Sequence, residues 1–547
     1  MLELGPLQLH DYVLKSRMWP LFFIPGTDFI CVLLQTLTVL LAFGVAVSVL
    51  KYFSRDPHIA IRDVSKKHNW CYTQLSMKPC YCSVCEALLL NGDGAFCDYC
   101  GVCADPACIK LANKKLKCKA ITCTDKVPME HHWVKGNIYH STVCAVCDDE
   151  VGCEPGLLDW QCCWCQRAVH SVCKDMLVKV CDLGPFRNMI IPPYCVLVMK
   201  RKNVHRELRL RGVKPTGWPQ WTPLIVVANR KSGNNDGDRL LSMFRRILNP
   251  AQVIDLADRP PEAALEWCSF LGEVQAKVLV AGGDGTIAWV LNAIDKLQVQ
   301  RIPPVAIVPL GTGNDLSRVL GWGKTHETDP EPEVILERIQ KAKEVQLDRW
   351  LVEICPSRHL GIRLPSRQLF MYNYISIGVD AQVTLDFHRT RESPFYLFSS
   401  RLFNKLLYLG YGTQQAVERG CRDLEQRLDL YLDDKLVDLP SIESVVILNI
   451  PSWGAGVYLW SMGDGSVAPQ SFSDGKLEVV ALYSSLHIAQ LQMGISQPHR
   501  VGQAARIKVK LKASTAVQVD GEPWLQHPAE LTITLRNQAS VLKLEAL

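Results

Sequence analysis

Three short glycine-rich runs hold the residues with the clearest chemical potential. They are Asn229-Arg230-Lys231-Ser232-Gly233, Gly282-Gly283-Asp284-Gly285-Thr286 and Gly311-Thr312-Gly313-Asn314-Asp315. Glycine lets a backbone approach an anion with no Cβ in the way, and amides at the start of a helix point their N–H groups at it. Each run follows an apolar stretch that reads as a buried strand, LIVV, KVLVA and VAIVPL, and the second and third lead into apolar-faced helices. That is the layout of phosphate-binding loops at the carboxyl edge of a parallel sheet. Neither GxxxxGK[ST] nor GxGxxG occurs in these runs, which excludes a P-loop enzyme and an ordinary dinucleotide-binding dehydrogenase. Asp284 is the acid placed to meet an attacking hydroxyl or a divalent ion. Asp520 and Glu522, in Asp520-Gly521-Glu522, are the next candidates, as base or as metal-organising carboxylates.

A second set of residues has metal-ligand chemistry. The chain has 23 cysteines, most of them between Cys71 and Cys195 in CxxC and HxxC spacings that suit tetrahedral zinc in a reducing compartment better than disulfides. His131, Cys144, Cys147, Cys162, Cys165, His170, Cys173 and Cys181 supply eight ligands, enough for two zincs. A less regular copy precedes them, His68, Cys82, Cys85, Cys97, Cys100, Asp105, Cys108 and Cys118. Asp105 is the odd member; a carboxylate can ligate zinc, and Cys103 is near enough in sequence to take its place.

These residues need elements to hold them. Residues 220–365 alternate strands and helices and are expected to form an α/β nucleotide-binding domain, and 366–547 turn strand-rich with period-two alternation, as in an antiparallel β-sandwich. The zinc modules span 68–118 and 131–181, with a basic linker at 199–219. After a segment at 1–28, residues 29–50 run 22 residues without a charge, enough for one transmembrane helix. Pro20, Pro25 and Gly26 also allow a re-entrant hairpin, and Lys51, Arg55, Arg62, Lys66 and Lys67 favour a cytosolic side for the chain beyond the span. A cleaved signal peptide fits less well, because the run starts late and is long. The expected architecture is therefore multidomain, an N-terminal transmembrane helix, two small zinc-finger domains, an α/β domain and a C-terminal sandwich.

At 48% hydrophobic over 547 residues the chain can bury several cores, and a net charge of +5 argues against a nucleic-acid partner. The basic run from Met199 to Lys214, with seven Lys or Arg against one Glu, is either a solvated linker or a contact for anionic lipid.

The spacing of the second zinc module resembles the phorbol-ester/diacylglycerol-type finger of the protein kinase C family. That resemblance implies interleaved ligands, with His131, Cys162, Cys165 and Cys181 at one metal and Cys144, Cys147, His170 and Cys173 at the other. Tight lipid binders of that type carry Gln-Gly before the third cysteine, where this chain has Asp93-Gly94 and Leu158-Asp159. A zinc-stapled docking module is thus an equal alternative to a lipid sensor. The ordered set NxxSG, GGDGT, GTGND resembles the catalytic domain shared by diacylglycerol, sphingosine and ceramide kinases, and the whole layout is similar to the diacylglycerol kinase family, with no EF-hand loop or ankyrin period in view. The resemblance implies ATP and magnesium held by Gly282 to Thr286, Gly311 to Asp315, Asn229, Ser232 and Gly233, a diacylglycerol acceptor in the lipid bilayer, and a catalytic half on the cytosolic face of the endoplasmic reticulum or plasma membrane.

Overall fold

The computed structural model describes residues 38–44, 60–62, 67–72, 80–89, 94–123, 129–138, 141–200, 207–233, 236–297, 299–325, 331–357, 365–392, 421–463 and 468–545. The chain divides into two units, Met1–Pro57 and His58–Leu547. Of the first, a helical stretch at 38–44 is described, and most of the expected span at 29–50 lies outside the described residues. Among the described residues no helix is long and apolar enough to cross a membrane.

Elements of the second unit are labelled from its α/β half. Strands β1 (Leu224–Ala228), β2 (Val253–Asp255), β3 (Lys277–Gly282) and β4 (Val305–Pro309) pair in parallel in the order β2-β1-β3-β4. β1 and β4 are buried at every position, as a sheet covered on both faces requires. Helix α1 (Asp236–Ile247) buries Leu240, Leu241, Phe244 and Ile247, a stripe at helical spacing. It has Asp236 and Asp238 in its first turn and Arg245 and Arg246 in its last, matching its dipole. Helix α2 (Asp284–Lys296) starts within the second glycine run and helix α3 (Asp315–Val319) at the last residue of the third.

The second half holds β5 (Lys343–Pro356), β6 (Arg367–Met371), β7 (Tyr374–Gly378), α4 (Val379–Glu392), β8 (Leu428–Leu432), β9 (Lys435–Val437), β10 (Ser444–Leu448), β11 (Leu477–Leu482), β12 (His499–Ala504), β13 (Arg506–Leu511), β14 (Thr515–Val519), β15 (Glu522–Gln526) and β16 (Ala529–Lys543). A six-stranded sheet, β12-β11-β10-β7-β14-β15, faces part of a ten-stranded one. Ile375, Ile377, Val445, Ile447, Val479 and Val517 from the first pack against Trp350, Val352, Ile507, Val509, Leu531 and Ile533 from the second. This is the sheet-on-sheet core of a sandwich.

The expected boundary at 365/366 does not divide the chain cleanly. β16 returns to the α/β half, where Val541 lies beside Val305 of β4, and it pairs antiparallel with β5 from Lys343↔Lys543 to Pro356↔Ala529. One sheet thus runs from the α/β half into the sandwich. The expected basic linker is also structured. Val196–Lys200 and Glu207–Val213 pair antiparallel, with Leu210 fully buried, and 201–206 lie outside the described residues. Leu210 is buried and Arg211 exposed, as neighbours on a strand with one covered face are.

Both zinc modules fold around short antiparallel strands. The first has Trp70–Cys71, Ala95–Cys97 and Cys103–Ala104, the second Trp133–Lys135, Trp160–Cys162 and Ala168–Val169. Cys163, Trp164, Phe186, Ile190 and Trp221 join one continuous core with Leu240, Phe244 and Leu248 of the α/β half. The modules are therefore packed onto that half.

Candidate functional site

β1 and β3 lie in register, Ala228↔Ala281, and β3 and β4 likewise, Gly282↔Pro309, so all three glycine runs leave the same edge of the sheet. The second and third runs touch. A Cβ on Gly311 would lie 2.7 Å from Gly283 Cα and 2.7 Å from Asn314 Oδ1, closer than any real contact. Only a pair of glycines allows this approach. Asn314 has a left-handed backbone (φ 54°) and is buried. Its Oδ1 accepts from Gly311 N–H at 2.9 Å, while its Nδ2 donates to the carbonyls of Gly311 at 2.8 Å and Lys324 at 3.0 Å. Its amide is spent on shaping the loop. Thr312 and Gly285 are exposed, and Gly282, Gly283, Thr286 and Gly313 are wholly or partly covered.

In the first run, Asn229 Oδ1 accepts from Lys231 N–H at 3.0 Å, and its carbonyl from Ser232 N–H at 2.9 Å. Gly233 takes a left-handed backbone (φ 65°), and a Cβ on Gly237, at the start of α1, would strike the Asn229 carbonyl. The helix start therefore abuts the loop. Arg230 is ion-paired to Asp255 and Asp258.

Asp284 opens α2 and also reaches α3, accepting from the backbone N–H groups of Asp315 (3.2 Å) and Leu316 (3.3 Å). Enclosure raises its carboxyl to about 6, the nearby negative Asp315 adding to the effect, while these N–H groups and the Asn373 side chain pull the other way. Burial likewise raises Asp315, which accepts from Ser452 Oγ and from the N–H groups of Ala455 (3.2 Å) and Gly456 (3.1 Å). Asp315 thus pins a turn of the second half against the third glycine run.

Both oxygens of Asp520 are engaged by backbone N–H groups, from Tyr372 (2.8 Å), Asn373 (2.8 Å) and Tyr374 (3.1 Å), and burial raises its carboxyl to about 7. Its geometry is that of an anchor for the 372–374 turn. Glu522 is exposed, its Oε1 3.4 Å from where a Cβ on Gly285 would stand, so it overhangs the start of α2. Of the three acids expected in the site, Asp284 and Glu522 face the second glycine run. Asp520 acts on it through Asn373.

Asn373, Ser452 and Arg318 also belong to the site, and no spacing in the sequence singles them out. Arg318 Nε donates to the Gly313 carbonyl at 3.1 Å. Asn373 Oδ1 is buried with no hydrogen-bond partner, next to Asp284, an unsatisfied polar atom of the kind a bound ligand or ion completes. That atom, the glycine cradle and the carboxylates of Asp284 and Glu522 fit a nucleotide phosphate and a divalent cation.

The metal-type residues form compact groups. His68, Cys97, Cys100 and Cys118 have their ligand atoms within 4.8 Å of one another, as do His131, Cys162, Cys165 and Cys181, and Cys144, Cys147, His170 and Cys173. In each, the histidine Nδ1 faces a sulfur, His68 to Cys100 at 3.2 Å, His131 to Cys165 at 3.4 Å and His170 to Cys147 at 3.3 Å. His68 Nε2 sits 3.2 Å from the Leu116 carbonyl and His170 Nε2 3.0 Å from that of Glu150, the backing that fixes a ligating tautomer. One histidine with three thiols fits zinc. Cys82, Cys85 and Cys108 make a three-sulfur group that Asp105 does not join. Its carboxylate instead accepts from Ala107 N–H at 2.7 Å, and Cys103 hydrogen-bonds to Cys80.

The chain matches the family described as "Diacylglycerol kinase catalytic domain" over residues 223–348, "Diacylglycerol kinase accessory domain" over 370–523 and "Phorbol esters/diacylglycerol binding domain (C1 domain)" over 131–184. It is 33% identical over 509 residues to "Probable diacylglycerol kinase 3" of Caenorhabditis elegans, which covers 85% of this chain and 63% of that protein. It is 31% identical over 537 residues to diacylglycerol kinase iota of Mus musculus, covering 88% of this chain and 50% of that one. The chain thus spans between half and two thirds of these two relatives. Among solved structures, a diacylglycerol kinase from Bacillus anthracis str. Sterne overlaps 59% of this chain and 96% of its own at 18% identity, with a TM-score of 0.36. Diacylglycerol kinase 2 of Arabidopsis thaliana is 31% identical over 592 residues, 85% of this chain and 82% of that protein, and on this match and the three domain matches the chain belongs to the diacylglycerol kinase family.

Proposed function

We propose that the chain transfers the γ-phosphoryl group of ATP to the primary hydroxyl of 1,2-diacylglycerol, giving phosphatidic acid. The observation that carries this reading is the position of Asp284, at the junction where the second and third glycine runs meet. Amides of the three runs would hold the phosphates. Asp284 and Glu522 would hold magnesium, which when bound neutralises charge on the transferring group. The acceptor oxygen forms a bond to the γ-phosphorus as the bond to the bridging β–γ oxygen breaks, ADP leaves, and the hydroxyl proton passes to the Asp284 carboxylate. Asn373, aligned by Asp520, keeps that carboxylate oriented.

The simple layout also resembles diacylglycerol kinase epsilon. That supports the finer reading of a preference for arachidonoyl-containing acceptors, a role in phosphatidylinositol recycling, a membrane anchor at 29–50 and anionic lipid at the basic stretch of 199–219. Purified full-length chain, supplied with magnesium and radiolabelled ATP, is expected to label diacylglycerol in mixed micelles, and an arachidonoyl species faster than an oleoyl one. Label appearing in sphingosine or ceramide instead would overturn the acceptor assignment.

A further inference from the structure

Lys119 follows the last ligand-type residue of the first zinc module and is fully buried. Its Nζ donates to the carbonyls of Arg246 (2.7 Å) and Arg245 (3.3 Å) in the last turn of α1 and of Leu248 (2.8 Å) just beyond it, and lies 4.3 Å from the centre of the Trp164 ring in the second module. A cation there meets the carbonyls of the helix end and the negative end of its dipole together. The grip extends to both modules. Arg245 pairs with buried Asp98 at 2.9 Å, Gln166 Nε2 donates to the Arg246 carbonyl at 3.2 Å, and Asn249 Nδ2 donates to the carbonyl of Ile121 at 3.1 Å.

The other end of α1 abuts the first glycine run, where Gly237 N–H reaches the Ser232 carbonyl at 3.2 Å and leaves no room for a Cβ against Asn229. A helix of 12 residues is a rod about 18 Å long, and it passes a displacement of one end to the other. We propose that Lys119 is a positioning residue for the nucleotide: it locks the far end of α1 to the zinc modules, and through that helix fixes the Asn229–Gly233 loop where phosphate is held. The modules then act on the ATP side of the reaction, apart from any role toward lipid. The inference rests on the reading of this loop as a phosphate site.

The test compares full-length wild type, Lys119→Met and the milder Asp98→Asn. Two measurements are made, steady-state kinetics with ATP and diacylglycerol varied separately, and hydrogen exchange of the peptide spanning 229–233. The expected result for Lys119→Met is a KM for ATP raised about fivefold with the KM for diacylglycerol unchanged, and faster exchange at 229–233. Asp98→Asn should shift both in the same direction by less, and it carries the test if Lys119→Met does not fold. A fall in kcat with KM for ATP and exchange at 229–233 unchanged would mean only fewer folded molecules, and overturns the inference. So does a change confined to the KM for diacylglycerol. If wild type labels no lipid, the kinase reading fails instead, and the exchange measurement still decides whether Lys119 holds the loop.

Discussion

The Asp284 carboxylate accepts the backbone N–H of Asp315 at 3.2 Å, so the acid of one glycine run sits on the first turn of the helix opened by the next. The two runs are thereby held together by the acid proposed as the proton acceptor, and disturbing either should register at the other.

Asp284→Asn keeps the size of the side chain and removes its charge. Turnover should fall by about a thousandfold or more, with circular dichroism and thermal midpoint close to wild type. An N–H₂ in place of one carboxylate oxygen also meets the amides of Asp315 and Leu316 less well, so a small loss of stability is expected.

Activity should rise with pH as the raised carboxyl of Asp284, at about 6, gives up its proton, and a pH profile of kcat/KM reads this directly. Stability should move the opposite way. Asp284 and Asp520 have folded-state values of about 6 and about 7, above those of an unfolded chain, so the fold binds extra protons between about pH 4 and 7. Their contribution is full below the unfolded value and is lost as pH rises through the folded ones. The thermal midpoint of ligand-free protein should decline across that window, less steeply in Asp284→Asn.

Gly311→Ala forces a methyl group to within 2.7 Å of Gly283 Cα, and backbone cannot yield as a side-chain tip can. The loops must separate, at a cost of about 1–3 kcal/mol in stability by the usual penalty of overpacking. The KM for ATP should rise severalfold, and isothermal titration with a non-hydrolysable nucleotide would measure the same loss.

The three-sulfur group of Cys82, Cys85 and Cys108 has an exposed member, Cys85, and one ligand fewer than the other groups. Zinc held there should leave first under a graded chelator, followed by colorimetric release. Asp105→His should slow that first phase. Equal release from all sites would show that Asp105 or Cys103 swings in to complete the group.

The glycine runs and the ligand pattern of the second module were legible in the sequence because each is a local code, a few residues whose spacing alone sets the geometry. Asn373 was not. It reaches the site because Asp520, 147 residues further on, holds its backbone, and no local pattern announces such a pairing. Asp520 itself was legible as a candidate acid of the site but not as an anchor, because an Asp-Gly turn looks the same whether its carboxylate faces a cleft or a neighbouring loop. Asp105 stands at a ligand position by spacing, and the structure turns it to cap a short helix, the commoner use of Asp before such a turn. The alternation of ELRLRGV was hidden under its charge, and AELTITL reads as a sandwich strand with nothing to show that it continues past the sandwich.

That continuation bears on how the polypeptide matures. Since Val305 of β4 finds its neighbour in Val541, the parallel sheet has an open flank until Ala529–Lys543 has been made. A ribosome that has delivered every glycine run has still produced only a half-assembled fold, with an apolar strand edge that invites aggregation or chaperones. Chains cut before that strand should accumulate as insoluble or degraded material.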